Sequence, residues 1–89
     1  MDELSEEQLQ EIEAGVGRAT PGPWISYVEG RDHLAGSSFI MTGTPGQRGE
    51  DIELLGATIA DQDFIAAARQ DVAALVDEVR RMRALLRTT

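Results

Sequence analysis

The sequence contains no cysteine, no lysine and a single histidine, His33. Without cysteine, neither disulfides nor thiolate zinc sites can form. One histidine with carboxylates alone does not make the usual structural zinc site. A chain of 89 residues has a small core and needs further stabilisation. We therefore expect no metal, no cofactor and a homo-oligomer.

Long apolar runs are also missing. A membrane-spanning helix needs about 18 or more successive apolar residues, and the chain has no such run. The opening Met1-Asp2-Glu3-Leu4 carries acids where a signal peptide carries bases. These absences predict a cytoplasmic protein with no membrane partner.

Positive charge is scarce, because eight arginines face 16 acids and the formal net charge is −8. This balance disfavours nucleic acid as the main partner, since binding to phosphates requires cations. The charges are also segregated along the chain. Asp2 to Glu13 includes many acids and no base, whereas Arg80, Arg81, Arg83 and Arg87 lie close together.

The pattern of apolar residues predicts a helix, a sheet and a second, long helix. Ser5 and Gln8 have the spacing of a capping box at the start of the first helix. Pro21 and Pro23 end that helix. Runs of aromatic and β-branched residues predict strands. The expected elements are a helix over 5–19, strands over 24–28, 37–42 and 52–59, a flexible connection over 43–49 and a helix over 61–87 capped by Asp61.

We expect these elements to form a single α+β domain over 1–89, with a three-stranded antiparallel sheet within 24–60. Leu9, Ile12 and Val16 recur at helical spacing and are predicted to pack on one face of the sheet. Phe64 and Ile65 of the long helix are predicted to cover the same face.

The long helix carries an apolar heptad pattern. Its spacing predicts a coiled-coil seam, in which Glu78 and Arg83 could pair between parallel copies. The alternative is that the helix folds back on the sheet and buries the seam within one chain. Gln70-Asp71 could also begin a second helix. The predicted oligomer interface is formed by Val72, Leu75, Val79, Met82 and Leu86.

No motif supports catalysis. His33 has no nucleophile or second base held against it by a recognisable pattern. The glycines of 15–20 follow no strand, and those of 43–49 lack the ending of a P-loop. The acids of 50–53 lack the spacing of a calcium loop. We therefore expect a protein that is not an enzyme.

Three side chains suggest binding of a ligand. Arg80 and Arg81 carry the guanidinium chemistry that suits a phosphate or an acidic partner. Trp24 follows a rigid turn and is interpreted as a core anchor, with stacking on a ligand as the alternative.

Two segments resemble a known family. Residues 19–24 read ATPGPW and residues 61–69 read DQDFIAAAR. Together they resemble the Ead-like early-protein family of temperate phages and its actinophage and actinobacterial relatives. The resemblance implies a phage or prophage accessory protein and carries over no catalytic residue. Arg69 is a shared polar residue without an evident packing task, which makes it a further ligand-binding candidate.

These observations predict a non-enzymatic, phage- or prophage-encoded protein that self-associates and binds a host factor in the host cytoplasm. The alternative is an oligomer that sequesters an anionic nucleotide signal and so inhibits host defence. That function would use the arginines and Trp24 at a subunit interface.

Overall fold

The computed structural model describes residues 3–88; the predictions that involve Met1 and Asp2 lie partly outside this range. The chain divides into two compact units, described separately below. The first contains the residues up to Ala19 and those from Asp71 onward, and the second contains Thr20–Gln70. The elements in chain order are α1 (Glu6–Arg18), β1 (Trp24–Tyr27), β2 (Phe39–Thr44), β3 (Gln47–Arg48) and α2 (Ile59–Arg87).

The predicted α+β order of helix, antiparallel sheet and long helix is confirmed. At the start of α1, the Gln8 amide donates to the Ser5 hydroxyl at 3.0 Å. The Ser5 amide donates to Oε1 of Gln8 at 2.8 Å, which completes the expected capping box.

The long helix is continuous, so the structure does not contain a second helix that starts at Gln70-Asp71. It begins earlier than predicted, because Thr58 and not Asp61 is the first member of its capping box. The Asp61 amide donates to the Thr58 hydroxyl at 3.0 Å, and the Thr58 amide donates to the Asp61 carboxylate at 3.1 Å.

The sheet has the order β1-β2-β3, but the prediction of a third strand over 52–59 is wrong. The third strand is β3, within the segment expected to be a flexible connection. Gly43 and Gly46 have φ of 82° and 88° and allow the chain to turn back tightly. A side chain at Gly43 would place its Cβ 2.4 Å from the Gln47 carbonyl oxygen. Ile52 forms only an isolated bridge to Ile40.

In the second unit, one face of the sheet is buried and is called here the inner face. Ile40 and Thr42 of β2 are fully buried there. The buried residues of α2 in this unit are Gln62 and Ala66. Phe64 is 74% exposed, so the prediction that it covers the sheet is wrong, whereas Ile65 is 37% exposed and is partly buried. Gln62 is a side chain of α2 that bonds to β1 and β2 in this unit.

In the first unit, α1 forms an antiparallel pair with the C-terminal half of α2. Leu4 is bonded to Arg83, whereas Val16 lines the same small cavity as Ala73, so the two segments run in opposite directions. Leu9 and Val76 are the buried apolar residues of this unit. The apolar residues Leu9, Ile12 and Val16 of α1 were predicted to pack on the sheet. The packing partner of α1 found within this unit is α2.

Among residues 3–88, neither helix combines the length and the hydropathy that a membrane span requires.

Candidate functional site

The predicted seam remains partly exposed on α2. Leu75, Met82 and Leu86 are 63%, 53% and 73% exposed, while Val72 and Val79 are half-buried. The neighbouring side of the helix is the one in contact with α1, where Val76 is 5% exposed. The unit therefore buries one side of its long helix and leaves a second apolar side accessible.

The predicted pairing of Glu78 with Arg83 between copies is not supported by the structure. Arg83 donates to the Leu4 carbonyl and forms an ion pair with Glu6, with Nη1 and Oε1 3.6 Å apart. Glu78 pairs with Arg81 of its own helix, which lowers the pKa of Glu78. Both groups have partners within one chain, and their pairing between copies stays a prediction.

Arg80, a predicted ligand-binding residue, joins the two helices of the first unit. Its Nη1 donates to Glu6 Oε2 at 3.0 Å, and its Nη2 donates to Glu13 Oε1 at 2.8 Å. Its Nε also donates to Glu13, at 3.2 Å. These bonds raise the pKa of Arg80 and lower that of Glu6. The guanidinium already has two carboxylate partners, which compete with any anionic ligand.

Arg69 and Trp24 converge on one backbone oxygen of the second unit. Arg69 Nε and the Trp24 indole nitrogen donate to the Thr20 carbonyl at 2.9 and 3.0 Å. The Gln70 side chain accepts from the Trp24 amide at 2.9 Å and donates to the Trp24 carbonyl at 3.0 Å. The turn before β1 is thus bonded to α2. Contrary to the expectation for Arg69, this side chain has a structural task.

A second ionic cluster anchors the loop after β1. Arg31 donates through both terminal nitrogens to Asp63, at 2.8 and 3.0 Å, and through Nε to Asp32 at 3.0 Å. Hydrogen bonds from Arg31, with a contribution from Ser26, lower the pKa of Asp63 to about 2. Asp32 also accepts from the Val28 amide at 2.8 Å. The cluster holds the loop that carries His33.

The face of the sheet opposite to the inner face is called the outer face, and it carries a cleft that the sequence analysis did not identify. Directly opposed strand residues share a face, so Ile25, Tyr27, Phe39 and Met41 form the outer face. The cleft has a volume of about 420 Å³. Its walls include Tyr27, His33, Phe39, Met41, Asp32, Asp51 and Glu53. The signal for this cleft in the sequence is that apolar side chains occur at both odd and even positions of β1 and β2, so that both faces of the sheet carry apolar groups.

The structure brings no three histidine or carboxylate side chains together in a metal-binding arrangement within residues 3–88. The residues that the sequence predicted as site residues do not form one site, because they lie in different environments. Arg80 and Arg81 pair with glutamates of the first unit, Arg69 and Trp24 hold a turn of the second, and the seam forms an apolar side of α2.

Comparisons of the chain with protein-family models, with curated proteins and with solved structures found no match. The resemblance to phage early proteins therefore stays a prediction.

Proposed function

We propose that the protein is a non-enzymatic interaction protein that self-associates through the exposed side of α2. The observation that carries the proposal is the exposure of Leu75 and Met82, at 63% and 53%, in a helix with heptad spacing. Burial of such side chains against a second copy removes apolar surface from water, with a gain of about 25 cal/mol per Å².

The occupant of this side is a second copy of the same chain. Two-fold association places the same patch on both partners, so an apolar heptad seam is complementary to itself. Val72 and Val79, half-buried beside α1, would widen the contact. The ion pairs of Arg80 and Arg83 lie within one chain and would not need to open.

The experiment replaces Leu75 and Met82 together by glutamate. Both side chains are more than half exposed, so the fold of the monomer should persist, while a charged seam should not associate. Sedimentation velocity at micromolar concentrations should show an oligomer for the native chain and a monomer for the variant. Circular dichroism checks that the helices are retained.

The matched control adds two charges in the second unit, with Leu34→Glu and Leu55→Glu. These leucines are 94% and 104% exposed, so the net charge changes equally without altering the seam. The control should remain oligomeric. A native chain that is monomeric, or a control that dissociates while the seam variant does not, would refute association through α2.

We further propose that the assembly binds a host factor, as the resemblance to phage accessory proteins implies. The support here is the sequence pattern of residues 19–24 and 61–69. Affinity capture from the native host, with the seam variant as the comparison, tests whether a specific host protein is retained and whether retention requires the oligomer.

Sequestration of an anionic nucleotide would require Arg80 and Arg81 to exchange carboxylates for phosphates. No observation favours this exchange. Native mass spectrometry of the purified protein tests it directly, since a nucleotide complex would appear as an added mass.

A further inference from the structure

The outer face of the second unit is apolar, although the helix of this unit lies on the other face. Gln62 of α2 donates to the Ser26 hydroxyl at 2.9 Å, and Ser26 is opposed to fully buried Ile40 on the inner face. On the outer face, Ile25 is 43% exposed and Tyr27 is half-buried. These side chains are available to a ligand.

Three rings line the outer cleft, those of Tyr27, His33 and Phe39. Tyr27 and Phe39 are stacked, with centroids 5.5 Å apart and planes inclined by 20°. The His33 ring lies near Phe39, with centroids 5.7 Å apart and planes inclined by 34°. The faces of aromatic rings carry negative electrostatic potential and attract cations.

His33 is held beside Phe39 by a hydrogen bond to the backbone. Its Nδ1 lies 2.8 Å from the Ala35 carbonyl oxygen. Because a carbonyl only accepts, Nδ1 donates in this bond. Nε2 is buried and has no hydrogen-bond partner among residues 3–88.

Two carboxylates border the rings. The backbone bonds between Ile40 and Ile52, at 2.8 and 2.9 Å, place Ile52 on the inner side. Asp51 and Glu53, on either side of Ile52 in the sequence, line the outer cleft. Glu53 accepts from Ser37 at 2.9 Å through one oxygen, which leaves the other available. Asp51 has no side-chain partner in the described residues.

The cation closest in sequence to the cleft walls pairs with Asp32 and does not neutralise Asp51 or Glu53. Arg31 directs its guanidinium to Asp63 and Asp32, and it does not line the cleft. No arginine is among the lining residues. The cleft thus combines ring faces with unneutralised carboxylates, a combination complementary to a cation and unfavourable for an anion.

We propose that this cleft binds the guanidinium group of an arginine side chain presented by a partner protein. A planar guanidinium can stack on the Tyr27 and Phe39 rings while its N–H groups donate to Asp51 and Glu53. The volume of about 420 Å³ accommodates one long side chain. Binding of the guanidinium does not depend on self-association, because the cleft belongs to the second unit.

The test uses the full chain and the blocked pentapeptide Gly-Gly-Arg-Gly-Gly, followed by NMR of the Tyr27 and Phe39 ring protons. Saturable shifts are expected. The same peptide with citrulline in place of arginine removes the charge and keeps the shape. It should bind about tenfold more weakly or worse, since the cation–π and charge-assisted bonds are lost.

Asp51→Asn with Glu53→Gln should weaken binding of the arginine peptide by about tenfold or more. Asp71→Asn with Asp77→Asn makes the same change of net charge in the first unit and should leave affinity unchanged. The monomeric Leu75→Glu, Met82→Glu variant should bind as the native chain does. Loss of binding in that variant would refute the independence of the cleft from self-association.

Three outcomes would overturn the assignment. Equal affinity for the citrulline peptide would remove the role of charge. Unchanged affinity in the Asp51 and Glu53 variant would remove the role of these carboxylates. Ethylguanidinium that binds as tightly as the peptide would identify a free small cation, and not a protein side chain, as the ligand.

Discussion

The two units attach helix α2 to its partner by different chemistry. In the first unit, Arg80 bonds to Glu6 and Glu13, and Arg83 bonds to Leu4. All these polar contacts lie at the exposed edge of the helix pair. In the second unit, neutral Gln62 is 5% exposed and donates to acceptors at 2.9, 3.1 and 3.2 Å.

The polar contacts of the first unit are charged and exposed, whereas those of Gln62 in the second unit are neutral and buried. Exposed ion pairs add little net stability and are screened by salt, so the first unit depends mainly on a few apolar contacts. A buried amide bonded to strand carbonyls is insensitive to salt and fixes the position of the helix on the strands. A helix pair with a thin apolar core also retains an accessible apolar side, as seen at Leu75 and Met82.

The largest expected effect is the loss of stability in Leu9→Ala. Leu9 is 1% exposed, and truncation of a buried leucine leaves a cavity that costs about 2–5 kcal/mol. Hydrogen exchange should show that the amides of α1 lose protection before those of β1 and β2. Chemical denaturation measures the change in free energy of unfolding.

Ile12→Ala is the control for Leu9→Ala, because Ile12 is 38% exposed on the same helix. Its change in free energy should be smaller. Equal changes for the two variants would contradict the view that Leu9 is the apolar anchor of the first unit.

A smaller effect, of about 1–3 kcal/mol, is expected for Gln62→Leu. The variant leaves the Tyr27 and Phe39 carbonyls without the amide that bonds them, and it should do so equally at low and high salt. Denaturation at two salt concentrations measures this. Gln10→Leu is the matched control, since Gln10 is exposed and bonds only to Glu6 at 3.3 Å. A comparable loss in the control would contradict a specific role for Gln62.

The order of elements and the start of α1 could be predicted from the sequence because they depend on local rules. Ser5 and Gln8 satisfy a capping geometry within one turn, and helical spacing is a local pattern. The third strand was misplaced because β3 has only two residues and depends on the hairpin at Gly43 and Gly46. The apolar segment 52–59 resembles a strand but contributes one bridge.

The tertiary partners were the less predictable part. Charge segregation was visible in the sequence, yet the pairing of Arg80 with Glu6 and Glu13 depends on which helices meet. Gln62 was overlooked because its role depends on strand carbonyls that only the folded sheet provides. The exposed seam at Leu75 and Met82 was predictable as an apolar face, although its pairing with a second copy stays a prediction.

The smallest expected effect is that of Arg80→Gln, and it should depend on salt. The variant removes the guanidinium that joins Glu6 to Glu13, at 3.0 and 2.8 Å. At low salt the first unit should lose stability, because Glu13 then loses its cation and Glu6 keeps only the longer pair with Arg83, at 3.6 Å. At about 1 M salt, where the Debye length is about 3 Å, the difference from the native chain should become very small.

Arg48→Gln provides the control for this experiment, because it makes the same change of net charge in the second unit. Arg48 is exposed on β3 and forms no ion pair within residues 3–88. Its effect should be small at every salt concentration. If Arg80→Gln instead destabilises the protein equally at low and high salt, the arginine acts by packing its aliphatic stem between the helices, and the ionic account of the first unit is wrong.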